Sequence, residues 1–359
     1  MHKFNESYRK LILKQRCDAL IKDVNFTKKH SANASRQSLV IMLIDFRVYL
    51  VSIDLHGSQE SIVKVTSQFS LKDPLSNSLK EVDIRDVFHC DGLLLCTTKD
   101  NRLVVWNPCS GETGWIIKPK SSRKRFVCYS LGKSSCNKYK ILKVDQDRYG
   151  FLRQCLVVYE VYDFTSSLWR RVGETRNWCI YGFKNRGISV NGDTYWLAYR
   201  FSQDLPKEFL LRFDYSTERF ESVSLPVDHL SHHPMALSVT REEQKLCLIS
   251  LRECNICVFG IDVWMATKIE SDGAMSWRKL LAVDGSVYRK FLVFCNGMNF
   301  LADRENKVLV FPGKNGVSGR FLHIVREDKC IQVDHNDDAK SRCSVLINYV
   351  PTLVQLQQG

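Results

Sequence analysis

An aromatic strand that turns on Asp or Asn with Ser, Thr or Gly, then returns on another aromatic, recurs four times in this chain. The copies are Trp106-Asn107-Pro108-Cys109-Ser110-Gly111-Glu112-Thr113-Gly114-Trp115, Tyr162-Asp163-Phe164-Thr165-Ser166-Ser167-Leu168-Trp169 and Phe213-Asp214-Tyr215-Ser216-Thr217-Glu218-Arg219-Phe220. A longer fourth runs from Val263-Trp264-Met265 through Ser271-Asp272-Gly273 to Trp277-Arg278-Lys279-Leu280. Asp and Asn close turns by hydrogen-bonding the backbone two residues on, so each copy reads as a β-hairpin. Hairpins recurring at about 45 to 65 residues restrict the chain to a repeated sheet architecture.

Further short strands precede each copy. The first follows Val87-Phe88-His89-Cys90-Asp91-Gly92-Leu93-Leu94-Leu95-Cys96, and the others follow Tyr139–Val144 with Leu156–Val161, Ile188–Val190 with Thr194–Tyr199, and Lys245–Leu251 with Ile256–Ile261. Asn191-Gly192-Asp193 is a tight-turn signal of its own. A fifth unit, Phe291–Phe294, Asn299–Leu301 and Lys307–Phe311, has the strands without the returning tryptophan. Four strands per unit is the pattern of a propeller blade. Leu39 to Gln355 at roughly 45 residues per blade predicts an all-β propeller of about six or seven blades. A sandwich of two large sheets is the rival architecture. The chain carries neither a Trp-Asp dipeptide at its strand ends nor a Gly-Gly pair of the kelch kind.

At 359 residues, 44% hydrophobic and 25% charged, the chain can bury a large core. No charged-apolar-small leader follows Met1, so the 14 cysteines are expected to be mostly reduced and buried, in the cytoplasm and/or nucleus. On that reading the sequons at Asn25 and Asn33 are chance matches. The longest apolar run, Leu39 to Leu55, is interrupted by Asp45, Arg47 and Asp54, and no membrane anchor is expected. The net charge is +13, and the one dense basic cluster is Lys118-Pro119-Lys120-Ser121-Ser122-Arg123-Lys124-Arg125, between a strand end at Ile116-Ile117 and a strand start at Phe126–Tyr129. A solvated basic loop is the plain reading, a nuclear import signal the alternative, and direct nucleic-acid binding is not expected. Arg123, Lys124 and Arg125 are the candidates for selecting an acidic or phosphorylated partner.

Catalytic constellations are weak, and no enzyme, cofactor or metal is expected. Cys254-Asn255-Ile256-Cys257 lacks a second pair at zinc spacing and sits in a strand-like run, where residues three apart face opposite ways. His229, His232 and His233 before Pro234 read as a polar loop. A nucleophile elbow, a phosphate loop and a His-Glu-x-x-His helix are missing. Trp106, Trp169, Trp196, Trp264 and Trp277 fall at repeat positions, as inter-blade packing would place them.

Phe88 to Cys96 followed by Leu103-Val104-Val105-Trp106-Asn107-Pro108 resembles the opening motif of the plant F-box-associated interaction domain, type 1. Val161-Tyr162-Asp163 with Trp169-Arg170, Gly192 to Ala198, Leu211-Arg212-Phe213-Asp214 with Phe220, and Asn348-Tyr349-Val350-Pro351-Thr352-Leu353-Val354 match the family in order. The resemblance implies a kelch-like β-propeller over 39–359 that grips the target protein of a Skp–cullin–F-box ubiquitin ligase. In such proteins an F-box ahead of the propeller docks on the Skp adaptor, and the resemblance makes 1–38 a short, truncated helical remnant of it.

Gln15 to His30 is similar to the last third of a family F-box, and Leu11, Ile12, Leu20, Ile21 and Phe26 are the residues that would meet the adaptor. Tyr8, Leu11, Ile12, Ala19 and Leu20 share much of one helical face. The family's earlier Leu-Pro segment is not in the sequence, and Cys17 stands where the family has tryptophan. Losing an aromatic anchor and a helix removes several kcal/mol on the hot-spot scale, so adaptor and cullin coupling is expected to be weak or absent. A stand-alone interaction module, decoy or nuclear, is the alternative.

Overall fold

In a computed structural model of the chain, the described residues are 37–55, 63–74, 81–118, 125–147, 155–180, 186–200, 207–226, 232–240, 245–254, 257–269, 275–284, 299–312, 321–326, 330–334, 343–352 and 354. They form six antiparallel sheets arranged as the blades of a propeller. Blade 1 joins β1 (Gln37–Ile44), β2 (Arg47–Asp54) and β3 (Val63–Phe69) to the last strand, β25 (Cys343–Asn348). Blade 2 is β4 (Ile84–Cys90), β5 (Leu93–Thr98), β6 (Leu103–Trp106) and β7 (Thr113–Ile116). Blade 3 is β8 (Arg125–Lys133), β9 (Tyr139–Asp147), β10 (Val157–Asp163) and β11 (Leu168–Thr175). Blade 4 has five strands, β12 (Trp178–Ile180) and β13 (Ile188–Val190) both pairing with β14 (Asp193–Arg200), then β15 (Lys207–Asp214) and β16 (Arg219–Val223). Blade 5 is β17 (His232–Val239), β18 (Leu246–Cys254), β19 (Cys257–Ile269) and β20 (Met275–Asp284). Blade 6 is β21 (Leu301–Asp303), β22 (Val308–Pro312), β23 (Phe321–Val325) and β24 (Cys330–Asp334).

The four aromatic hairpins are β6–β7, β10–β11, β15–β16 and β19–β20, the third and fourth strands of blades 2 to 5. Three of their turns share one construction. The side-chain oxygen of Asn107, Asp163 or Asp214 accepts the amide two residues on, at 3.0, 2.8 and 2.7 Å. The residue four positions on then has positive φ: Gly111 at 75°, Ser167 at 55° and Glu218 at 57°. Only Gly111 is free of the strain an L side chain meets there. The first turns of blades 2 and 4, Asp91-Gly92 and Asn191-Gly192, have two successive positive φ values, as tight hairpins require.

Burial follows blade geometry. Middle strands are covered on both faces by neighbouring blades, so β5 and β6 are buried at every residue and read as continuous apolar runs. The outer strands β11 and β16 alternate with exposed positions. The core is divided into six apolar wedges, each shared by two adjacent blades. Trp106 packs in the wedge of blades 1 and 2, Trp169 against blades 2 and 3, Trp196 in that of blades 3 and 4, and Trp264 and Trp277 against blades 4 and 5.

Antiparallel pairing sorts the connections between two faces. One face, here the hairpin face, carries the turns between first and second and between third and fourth strands. The other, the crossover face, carries the second-to-third turns and the passages from blade to blade. β25 ends and β1 begins on the hairpin face, so the chain before Gln37 joins the propeller there. The C-terminal segment is latched on the same face. Asn107, fully buried, donates from Nδ2 to the carbonyls of Thr352 (3.1 Å) and Val354 (2.9 Å). Tyr349 fills the wedge of blades 1 and 2. A Cβ on Gly92 would stand 2.5 Å from the Thr352 side chain, so this tight turn also needs glycine for the approach of the tail.

Several sequence expectations need correction. Cys254 and Cys257 belong to two strands, as register partners of the β18–β19 pairing, rather than to one strand-like run. His232 and His233 open β17 instead of lying in a loop, and Pro234 is accommodated where the register shifts beside it. Arg125 belongs to β8, paired with Asp147, and not to the basic loop. Arg123, Lys124, His229, the strand expected at Phe291–Phe294, and the helical remnant with Leu11, Ile12, Leu20, Ile21 and Phe26 lie outside the described residues.

Candidate protein-interaction surface

Charged and apolar groups meet on the crossover face of blades 1 and 2. Asp45 and Phe46 form the β1–β2 turn with φ of 46° and 66°, which leaves the Phe46 ring 42% exposed. The Lys99 ammonium lies 4.4 Å from that ring's centre. Arg47 reaches Asp83 at 2.6 Å and Glu81 at 3.3 Å. Arg102, in the β5–β6 connection, donates two parallel bonds to Asp73 (2.9 and 2.8 Å) and one to Asp100 (2.7 Å), with its guanidinium 4.6 Å from the Trp115 ring centre. Its charge is satisfied and its position fixed.

Beside this anchored arginine opens a cleft of about 320 Å³, lined by Pro74, Asn101, Arg102, Trp115, Ile116, Ile117 and Lys118. Ile117 is 89% exposed. Its carbonyl accepts a 2.8 Å bond from Trp169 Nε1 of blade 3, which pins the backbone while the side chain faces solvent. Lys118 lies 5.2 Å from the centre of the Tyr129 ring. Burial and the neighbouring Arg85 push its ammonium down to about 8, against a smaller opposing pull from Asp100. A second, more polar cleft of about 490 Å³ lies at blade 4, lined by residues including Arg176, Trp178, Arg200, Phe220 and Glu221.

The inner strands are tied across the axis on the same face. Arg186, leading into β13, pairs with Asp86 of β4 at 3.0 Å and reaches Asn299 ahead of β21 at 3.4 Å, linking blades 4, 2 and 6. Nearer the hairpin face, Ser189 donates to Cys90 Sγ at 3.2 Å. Burial raises the Cys90 and Cys128 thiols to about 12 and that of Cys330 to about 11, so each is protonated at neutral pH. His232 lies 3.2 Å from the buried Asp262 carboxylate, which also meets Lys279 (2.7 Å) and Arg252 (3.3 Å). His233 faces Glu208 at 3.2 Å. Among the described residues, no three His, Cys, Asp or Glu side chains are grouped to hold a metal ion.

The sequence missed this surface because Pro74, Arg102 and Trp115 are far apart along the chain. The one local signal was the apolar-to-basic step Ile116-Ile117-Lys118.

Residues 39–356 match the model of the F-box associated beta propeller domain. The chain belongs to this F-box-associated propeller family. Its relatives in Arabidopsis thaliana include "Putative F-box protein At4g10190", 54% identical over 95% of this chain and 91% of the relative. Another, "Putative F-box protein At3g21130", is 49% identical over 96% and 90%. "F-box/kelch-repeat protein At3g16740" is 36% identical over 94% and 91%. In the F-box-associated propeller described here, the carbonyls of Thr352 and Val354 form the latch that Asn107 holds.

Proposed function

We propose that this chain is a substrate-recognition subunit of a Skp–cullin–F-box ubiquitin ligase and holds its target protein on the propeller. The observation that carries this reading is the family match over 39–356 together with F-box relatives along nearly the whole chain. The division of the two faces supports it: the N-terminal segment joins on the hairpin face, leaving the clefts of the crossover face for a target. The role is binding rather than catalysis, in keeping with protonated buried thiols and carboxylate-paired histidines. Cytoplasm and nucleus are the compartments in which such a ligase would act.

Affinity capture of the full chain from plant cells under proteasome inhibition tests the proposal. Recovery of a polyubiquitinated partner with a Skp-type adaptor retained only weakly, as Cys17 in place of the family's tryptophan implies, is the expected result; a capture with a partner but no adaptor would contradict ligase coupling. Cys17, in place of the family's tryptophan, favours a second reading, an interaction module without ligase coupling. If Cys17→Trp strengthens adaptor capture while the native chain retains none, that second reading holds.

A further inference from the structure

We infer that the cleft at Trp115, Ile117 and Lys118 is a docking site for a linear acidic segment of a partner protein, one apolar side chain seated on Trp115 and Ile117 and a neighbouring carboxylate on Lys118 and Arg85. This deepens the receptor reading above and rests on it.

Three observations converge. Ile117 projects into solvent while its backbone is held by Trp169, so a large apolar group is presented on a rigid support instead of folding away. The cleft holds about 320 Å³, room for one or two large side chains, between the Trp115 ring and Pro74. Charge is unbalanced at its mouth. Arg102 is neutralised by Asp73 and Asp100, yet Arg85 is near enough to disfavour the Lys118 charge, and Asn101, which lines the cleft, is the described partner of Arg85 through Oδ1, at 2.5 Å. Among the described residues, neither cation has a carboxylate within ion-pairing distance. Two neighbouring cations raise each other's energy, and burial of Lys118 strengthens the effect; a bound carboxylate reverses it. The site lies on the face opposite the one where β1 begins.

Selection of a random dodecapeptide phage library on the full chain tests this. Enrichment of peptides pairing Asp or Glu with Leu, Ile or Phe is expected, with the best synthetic peptide losing about tenfold or more in affinity for Lys118→Glu and for Ile117→Ser, the scale of one anchoring contact. Replacing its acids by Gln, or its apolar residue by Ser, should weaken binding similarly, and affinity should fall with added salt. A phosphoserine version that bound far better than the carboxylate peptide would reassign the anion. Unchanged melting temperatures of both variants separate lost binding from lost folding. Absence of enrichment, or peptides that bind both variants as tightly as the native chain, would overturn the assignment. The receptor reading fails separately, through absence of the adaptor from captured complexes.

Discussion

The hairpin face and the crossover face of the propeller are built on different rules. On the hairpin face the same turn is repeated from blade to blade, with a side-chain oxygen two residues before the amide it caps and a left-handed residue four positions on. Its residues serve the scaffold: Asn107 closes a turn and latches the C-terminus at once. On the crossover face the described connections of blades 1 and 2 share no such construction: they are the Asp45-Phe46 turn, the Arg102 anchor and the Ile117-Lys118 step. Repetition marks what holds the blades together, and departure from it marks where a partner can be selected.

The comparison is broken most severely by damage to a wedge between blades. Trp196 is 1% exposed between blades 3 and 4, and Trp196→Ala is expected to cost about 3–5 kcal/mol in chemical denaturation. Next in size is the latch. Asn107→Ala removes two bonds to the C-terminal carbonyls and the turn bond to Cys109, an expected loss of about 2–3 kcal/mol with faster amide exchange at 349–354.

Acid should weaken the same face. His89 accepts the Gly92 amide at Nε2 (3.0 Å) and packs edge-on against Tyr349. Removal from water lowers it from 6.5 to about 4, with Asp91 opposing. The unfolded chain therefore takes up this proton first, so stability is full above about pH 7 and falls as pH drops from 6.5 toward 4. His89→Asn should flatten that part of a pH series of denaturation midpoints. A smaller effect is expected at the left-handed position of the blade 2 turn, where Gly111→Ala costs about 1 kcal/mol. The smallest is on the other face: Ile117→Ser should change stability by less than about 0.5 kcal/mol, since its side chain is almost wholly in water, while it removes partner binding.

How far the fold was legible follows from the same contrast. The aromatic hairpins of blades 2 to 5 stand out because aromatic residues and Asp or Asn turns recur at matching positions. Blade 1 was harder to see, since β25 returns from the far end of the chain to sit beside β1, a pairing no local pattern announces. The Asp45-Phe46 turn was hidden because phenylalanine is rarely left-handed. At the candidate site, Ile116 and Lys118 are legible in the sequence as a strand end and the start of a basic run. Their partners Pro74, Arg102 and Trp115 meet them only once the blade is folded.

The division of labour between faces is tested most directly by quantitative capture of the polyubiquitinated partner with two variants of the full chain. Lys118→Glu on the crossover face should release the partner while adaptor recovery stays unchanged. Lys138→Glu, in the β8–β9 turn of the hairpin face, should retain it. Loss of the partner through Lys138→Glu, with full retention in Lys118→Glu, would contradict the account.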